Sequence, residues 1–123
     1  MAKRSRLTKM IVRGLVASPL IYGGYGSLKN PGGRPKALGK AGLPESSGLV
    51  RFNGGAMLTG GVAMTLGILP RLAALGLSIS ITAMTLVGHP FWKERPETRG
   101  QHIMQFTKNL AILAGLINEI ISG

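Results

Sequence analysis

Apolar residues run along this chain in four long blocks separated by polar, Gly/Pro-rich and basic stretches. Each block reads as a helix long enough for a bilayer, which takes about 17 to 25 residues. The first covers residues 10–26, MIVRGLVASPLIYGGYG. Arg13 sits near its start, where a long apolar stem can carry the guanidinium out to headgroups, while Tyr22 and Tyr25 suit the opposite interface. Pro19 removes one backbone donor and crowds the carbonyl a turn earlier, so a bend is expected there.

The second block, residues 49–69, is LVRFNGGAMLTGGVAMTLGIL. Gly55, Thr59, Ala63 and Gly67 recur every fourth position in it, which lays a small-residue groove along one face and predicts a packed neighbour there. Pro70 and Arg71 interrupt the helix, and a third block resumes at once over residues 72–89, so these two spans form an antiparallel hairpin. Ser78, Ser80, Thr82 and Thr85 lie inside the third span and can bond back to carbonyls one turn earlier. The fourth block covers residues 102–121. Gln101, Gln105, Lys108 and Asn109 fall at helical spacing along it, a stripe that should face protein or a water-filled pocket rather than lipid.

Of the intervening stretches, residues 27–48 form a basic loop rich in Gly, Pro and Lys. A short amphipathic piece over residues 35–41 would lie on the membrane surface with Lys36 and Lys40 facing phosphates. Residues 90–101, PFWKERPETRGQ, carry Phe91 and Trp92 as an interface anchor. The expected fold is therefore all-α, a single-domain integral membrane four-helix bundle over residues 1–123.

Composition agrees with lipid as the solvent: charged residues make up 15% of the chain, against about a quarter in soluble domains. The 19 glycines suit membrane helices, whose backbones approach closely at small residues. The net charge of +11 raises nucleic acid as a partner, but its distribution argues otherwise. Lys3, Arg4, Arg6, Lys9 and Arg13 crowd the N-terminus, Lys29, Arg34, Lys36, Lys40 and Arg51 surround the first loop, and Lys93, Arg95 and Arg99 fill the second. Basic clusters bracketing uncharged runs point to a bilayer with anionic lipids and not to nucleic acid. The N-terminal block reads as an uncleaved span. Both termini are placed in the cytoplasm, because the first helix usually dominates orientation.

Catalytic machinery is sparse. The chain has no cysteine and no aspartate, and its glutamates are Glu45, Glu94, Glu97 and Glu119. Thiol chemistry is excluded, paired-carboxylate chemistry is disfavoured, and no phosphate loop, dinucleotide fingerprint, HExxH helix or nucleophile elbow is present. No catalytic residue and no metal-ligand set is assigned. One polar cluster remains: His89 closes the third span and His102 and Gln105 open the fourth, at the membrane face that also holds Arg51 and Asn53, with Lys108 and Asn109 one to two turns deeper. A lysine in a span costs about 2.5 to 3.5 kcal/mol at mid-membrane and needs a polar partner or a route to the surface. His89, His102, Gln105, Lys108 and Asn109 thus form either a site for a polar headgroup such as a quinone ring, or interhelical hydrogen bonds that hold the bundle. Haem ligation by the two histidines is disfavoured, because axial ligands must face each other.

In order and spacing, IYGGYGSLKNP (21–31), LVRFNGG (49–55), LPRLAAL (69–75), GHPFW (88–92) and QFTKNLAILAGL (105–116) resemble the DoxX family of small four-helix membrane proteins, particularly its actinobacterial members. The resemblance implies a bundle in the cytoplasmic membrane associated with oxidoreductase systems: a thiosulfate:quinone oxidoreductase subunit, oxidative-stress assemblies and respiratory complexes. The leading expectation is a non-catalytic accessory or assembly subunit of a larger, respiratory-type membrane complex, with no cofactor of its own. The alternatives are a quinone-reactive oxidoreductase subunit using the polar cluster, and a small transporter or lipid-binding protein.

Overall fold

The computed structural model describes residues 2–88 and 95–122, with side chains over 6–88 and 95–121. Five helices follow in order, α1 (Ala2–Lys29), α2 (Arg34–Lys40), α3 (Ser47–Leu66), α4 (Pro70–Gly88) and α5 (Pro96–Ser122), with no strand among the described residues. The four long helices run alternately up and down. α1 pairs with α3, α3 with α4, α4 with α5, and α5 returns to α1. Short α2 lies at the end of the bundle where α1 finishes and α3 begins, against α3 and α4.

Local chemistry explains the helix ends. Ser46 caps α3, its hydroxyl accepting from the Leu49 N–H at 3.1 Å, the usual relief for an orphan donor in a first turn. At the other end Gly67 takes the left-handed conformation (φ 78°) and the Ile68 N–H reaches back to the Ala63 carbonyl at 2.8 Å, a Schellman-type stop. The sequence leads one to expect Pro70 to interrupt a helix; instead it opens α4, where its missing N–H is no loss. The break lies instead at residues 67–69, with Leu69 also at positive φ (44°). α5 likewise starts at Pro96, followed by Glu97 in its first turn, so part of the second polar stretch is helix. α1 continues through Pro19. The Leu15 carbonyl, deprived of its partner by the proline, accepts the Ser18 hydroxyl at 3.1 Å.

The core is a narrow column of Leu20, Met57, Met64, Leu77, Ile81 and Leu116, with Ala17 and Ala74 between them. Two glycines let α1 and α3 approach backbone to backbone. A Cβ built on Gly24 would lie 2.5 Å from the Gly54 carbonyl oxygen and 2.9 Å from the Leu58 nitrogen, and one on Gly54 would lie 2.7 Å from the Gly24 carbonyl oxygen. Gly61 does the same for the Ile21 side chain, at 2.5 Å.

The expected groove is not the face that α3 buries within the bundle. The face α3 buries is Val50, Gly54, Met57, Gly61 and Met64, not Gly55, Thr59, Ala63 and Gly67. Gly55 makes only ordinary contact with Leu28, Thr59 is exposed, Ala63 is half-buried, and Gly67 stands outside the helix as its cap. The reason is geometric. With 3.6 residues per turn, a strict four-residue repeat drifts about 40° per step around the helix, whereas alternating steps of four and three stay on one side.

Among the described residues one helix, α4, is long and apolar enough by itself to cross a membrane, with a mean hydropathy of 1.5. The other three expected spans fall short of that measure. In α3 glycine and threonine replace larger apolar side chains, and α1 and α5 carry charges within their length. One of those charges has an internal partner: the Arg13 Nε donates to Glu119 Oε1 at 2.6 Å, the two side chains being 13% and 15% exposed. Arg13, expected to reach for headgroups, instead ties α1 to the last turns of α5.

Candidate functional site

α1 and α5 are joined at the end of the bundle that holds the α3–α4 turn, through the Arg13–Glu119 pair and through Val16, whose side chain would meet a Cβ on Gly115 at 3.1 Å. Toward the opposite end a cavity of about 730 Å³ lies among all five helices, within the range of small-molecule sites. Its deep walls are apolar, with Leu20 from α1, Met84 and Val87 from α4 and Ile112 from α5. Its polar groups converge from four helices: Ser27 on α1, Arg34 on α2, Asn53 on α3, and Gln105, Lys108 and Asn109 on α5.

Each of these side chains is placed by its element. Asn109 is buried and donates from Nδ2 to the Thr85 hydroxyl at 2.9 Å, while that hydroxyl donates to the Ile81 carbonyl at 2.6 Å. Asn109 therefore fixes the α4–α5 seam as well as forming cavity wall. Ser78 bonds back to the Ala74 carbonyl in the same way. The Asn53 amide donates weakly to the Met57 sulfur at 3.5 Å. Arg34 Nη1 donates to the carbonyl oxygens of Asn30 (3.2 Å) and Pro31 (3.4 Å), the last acceptors beyond α1. Lys108 lines the cavity from an exposed position, and no bond or ion pair holds it among the described residues.

Of the cluster expected from the sequence, the cavity brings together Gln105, Lys108 and Asn109. His102 is half-buried beside a separate recess on α5 with Gln101, Met104 and Gln105. His89, Phe91 and Trp92 lie outside the described residues. The sequence reading missed Arg34, which it counted only among the basic residues around the first loop. No local signal marks it, because its place in the cavity lining depends on how α2 folds back over the bundle. Among the described residues no three of His, Cys, Asp or Glu come together as a metal site.

No curated protein and no solved structure matches the chain. The model of the DoxX family matches residues 8–90, about two thirds of the sequence, which takes in most of α1 and all of α2, α3 and α4. The chain thus belongs to the DoxX family, a family of membrane proteins.

Proposed function

We propose that this protein is a multi-pass four-helix bundle of the cytoplasmic membrane, serving as a non-catalytic accessory or assembly subunit of a larger membrane oxidoreductase or respiratory-chain complex. The observation that carries the membrane placement is the outer surface. Large apolar side chains stand exposed on all four long helices, such as Leu15 on α1, Phe52 on α3, Ile79 on α4 and Met104 on α5. Soluble monomers rarely expose contiguous apolar patches beyond a few hundred Å², whereas lipid accommodates such a belt at no cost. Low hydropathy in α1 and α3 fits the same placement, since glycines there serve backbone approach and Arg13 is neutralised by Glu119. The accessory role draws on the family's association with oxidoreductase systems and on cavity walls that, among the described residues, carry no carboxylate or thiol.

Alkaline carbonate extraction followed by tagged purification in mild detergent tests both parts. The protein should stay with membranes until detergent is added and then elute with larger chains. Release by carbonate would overturn the membrane placement, and elution as a lone monomer would overturn the accessory role.

A second reading is a quinone-reactive subunit, favoured by Gln105 and Lys108 standing above apolar walls. It requires a redox partner, because no side chain here carries electrons. Unchanged quinone binding and turnover of the purified complex in a His89→Ala, Lys108→Ala double variant would eliminate it. A small transporter or lipid-binding protein is the third reading, for which the cavity is the supporting feature.

A further inference from the structure

Among the described residues the cavity is lined by two cationic side chains from different helices and by no acidic one. Arg34 is pre-positioned: its Nη1 is bound to the Asn30 and Pro31 carbonyls, which leaves guanidinium donors on Nη2 and Nε for another acceptor. Lys108 reaches the same cavity from α5. Both cations are exposed at the mouth of an apolar shaft, where an anionic headgroup can meet them. The lining runs along α1 from Ser27 down to Pro19, about 12 Å at 1.5 Å per residue. That is close to one leaflet's share, about 15 Å, of a hydrocarbon core. The surrounding rim is basic too, with Lys29, Lys36, Arg51, Arg95 and Arg99 at this end of the bundle.

We propose that the cavity binds one anionic phospholipid, its phosphate held between Arg34 and Lys108 and an acyl chain laid along the shaft toward Leu20 and Ile112. The amides of Asn53 and Gln105 are donors for the glycerol-ester oxygens. A neutral quinone would leave both cations uncompensated, and a zwitterionic lipid would bring its own cation to a site already holding two. This inference rests on the proposed membrane placement and is independent of the accessory role.

The test is lipid retention by the full chain, purified in detergent, stripped of lipid and incubated with phosphatidylglycerol or phosphatidylcholine, then read by native mass spectrometry. One phosphatidylglycerol should remain bound and phosphatidylcholine about tenfold less. Arg34→Gln with Lys108→Gln should lower phosphatidylglycerol retention by about tenfold or more, the loss expected for a charge-assisted bond. Lys9→Gln with Arg71→Gln, equally basic positions outside the lining and at the opposite end of the bundle, should leave it within about twofold. Gly23→Leu keeps both charges and puts a side chain into the shaft, at a position where a Cβ meets only the Met57 methyl at 3.9 Å; it should abolish retention. If the charge variant loses helicity by circular dichroism, Gly23→Leu decides alone. Equal retention of the two lipids, or no effect of the decisive variant, overturns the proposal. Displacement of the lipid by inorganic phosphate would reassign the site to a free anion, and displacement by menaquinone would reassign it to a quinone; either overturns it. Carbonate-extractable protein would remove the membrane placement, whereas detergent-extracted protein blind to headgroup charge removes only the lipid site.

Discussion

The two faces of α1 meet their neighbours in opposite ways. Toward α3 the helix is closed by absence of side chain: Gly24 and Gly54 bring backbone against backbone, and Gly61 receives Ile21. Toward α5 it is held at one end by an ion pair and stands apart at the other around a cavity. A seam closed down to backbone contact at its glycines offers no room, so it can only fix geometry. A seam bridged by charge at one end leaves space at the other, and the polar groups of the bundle gather there. Packing and binding are thus divided between two sides of one helix.

The comparison breaks most sharply at Gly54. Because a Cβ there meets the Gly24 carbonyl and the Ser27 Cβ, both at 2.7 Å, and a helix backbone cannot yield as a flexible side chain does, Gly54→Val should cost about 3 kcal/mol. Thermal unfolding in detergent would read it. Gly76→Ala on α4, where a Cβ meets nothing within 4 Å, is the control and should shift stability favourably by less than about 1 kcal/mol. Equal effects would mean that the α1–α3 seam is not built on close approach.

Next in size is the ion pair. Glu119→Ala leaves Arg13 nearly buried without a partner and should cost about 2 kcal/mol, below the value for fully enclosed pairs because the arginine stem can reach the surface. Arg13→Leu with Glu119→Leu removes both charges and should recover most of that loss. A double variant as unstable as Glu119→Ala would show that the pair's hydrogen bond, rather than the stranded charge, sets the cost.

What could be read from the sequence follows the range of the interaction. The helical blocks, the tight α3–α4 connection and the hydroxyls of Ser78 and Thr85 bonding back one turn are local, and periodicity or spacing suffices for them. The four-residue repeat was visible but runs along the side of α3 away from the face buried in the bundle, since Gly54 and Gly55 are chemically identical and only the partner helix tells them apart. Arg13 and Glu119 stand 106 residues apart, and nothing in either neighbourhood announces the other. Of the cavity, the α5 wall was legible because Gln105, Lys108 and Asn109 repeat at helical spacing. Arg34 was not, because the placement of α2 carries it there.

A smaller effect separates the two jobs of Asn109. Its amide bonds Thr85, but the Thr85 hydroxyl keeps its own bond to the Ile81 carbonyl, so Asn109→Ala leaves no buried donor stranded. The expected cost is about 0.6 to 1 kcal/mol, typical of one interhelical bond in a membrane bundle. A loss several times larger would make the α4–α5 seam polar-locked in the way α1–α3 is locked by glycine.

The smallest expected effect is at Thr59, on the side of α3 away from the face that it buries. Thr59 is exposed between Gly55 and Ala63, so Thr59→Leu should change the stability of the isolated bundle by less than about 0.5 kcal/mol. The accessory role adds a second readout. A partner helix laid along Gly55, Thr59 and Ala63 would be pushed off by the larger side chain, and chains that co-purify with the wild type should be lost from the variant while its unfolding midpoint stays fixed. If the co-purifying chains remain, that stripe is lipid-facing, and any partner must meet the bundle elsewhere. Loss of both together would place Thr59 inside the protein's own packing, contrary to its exposure here.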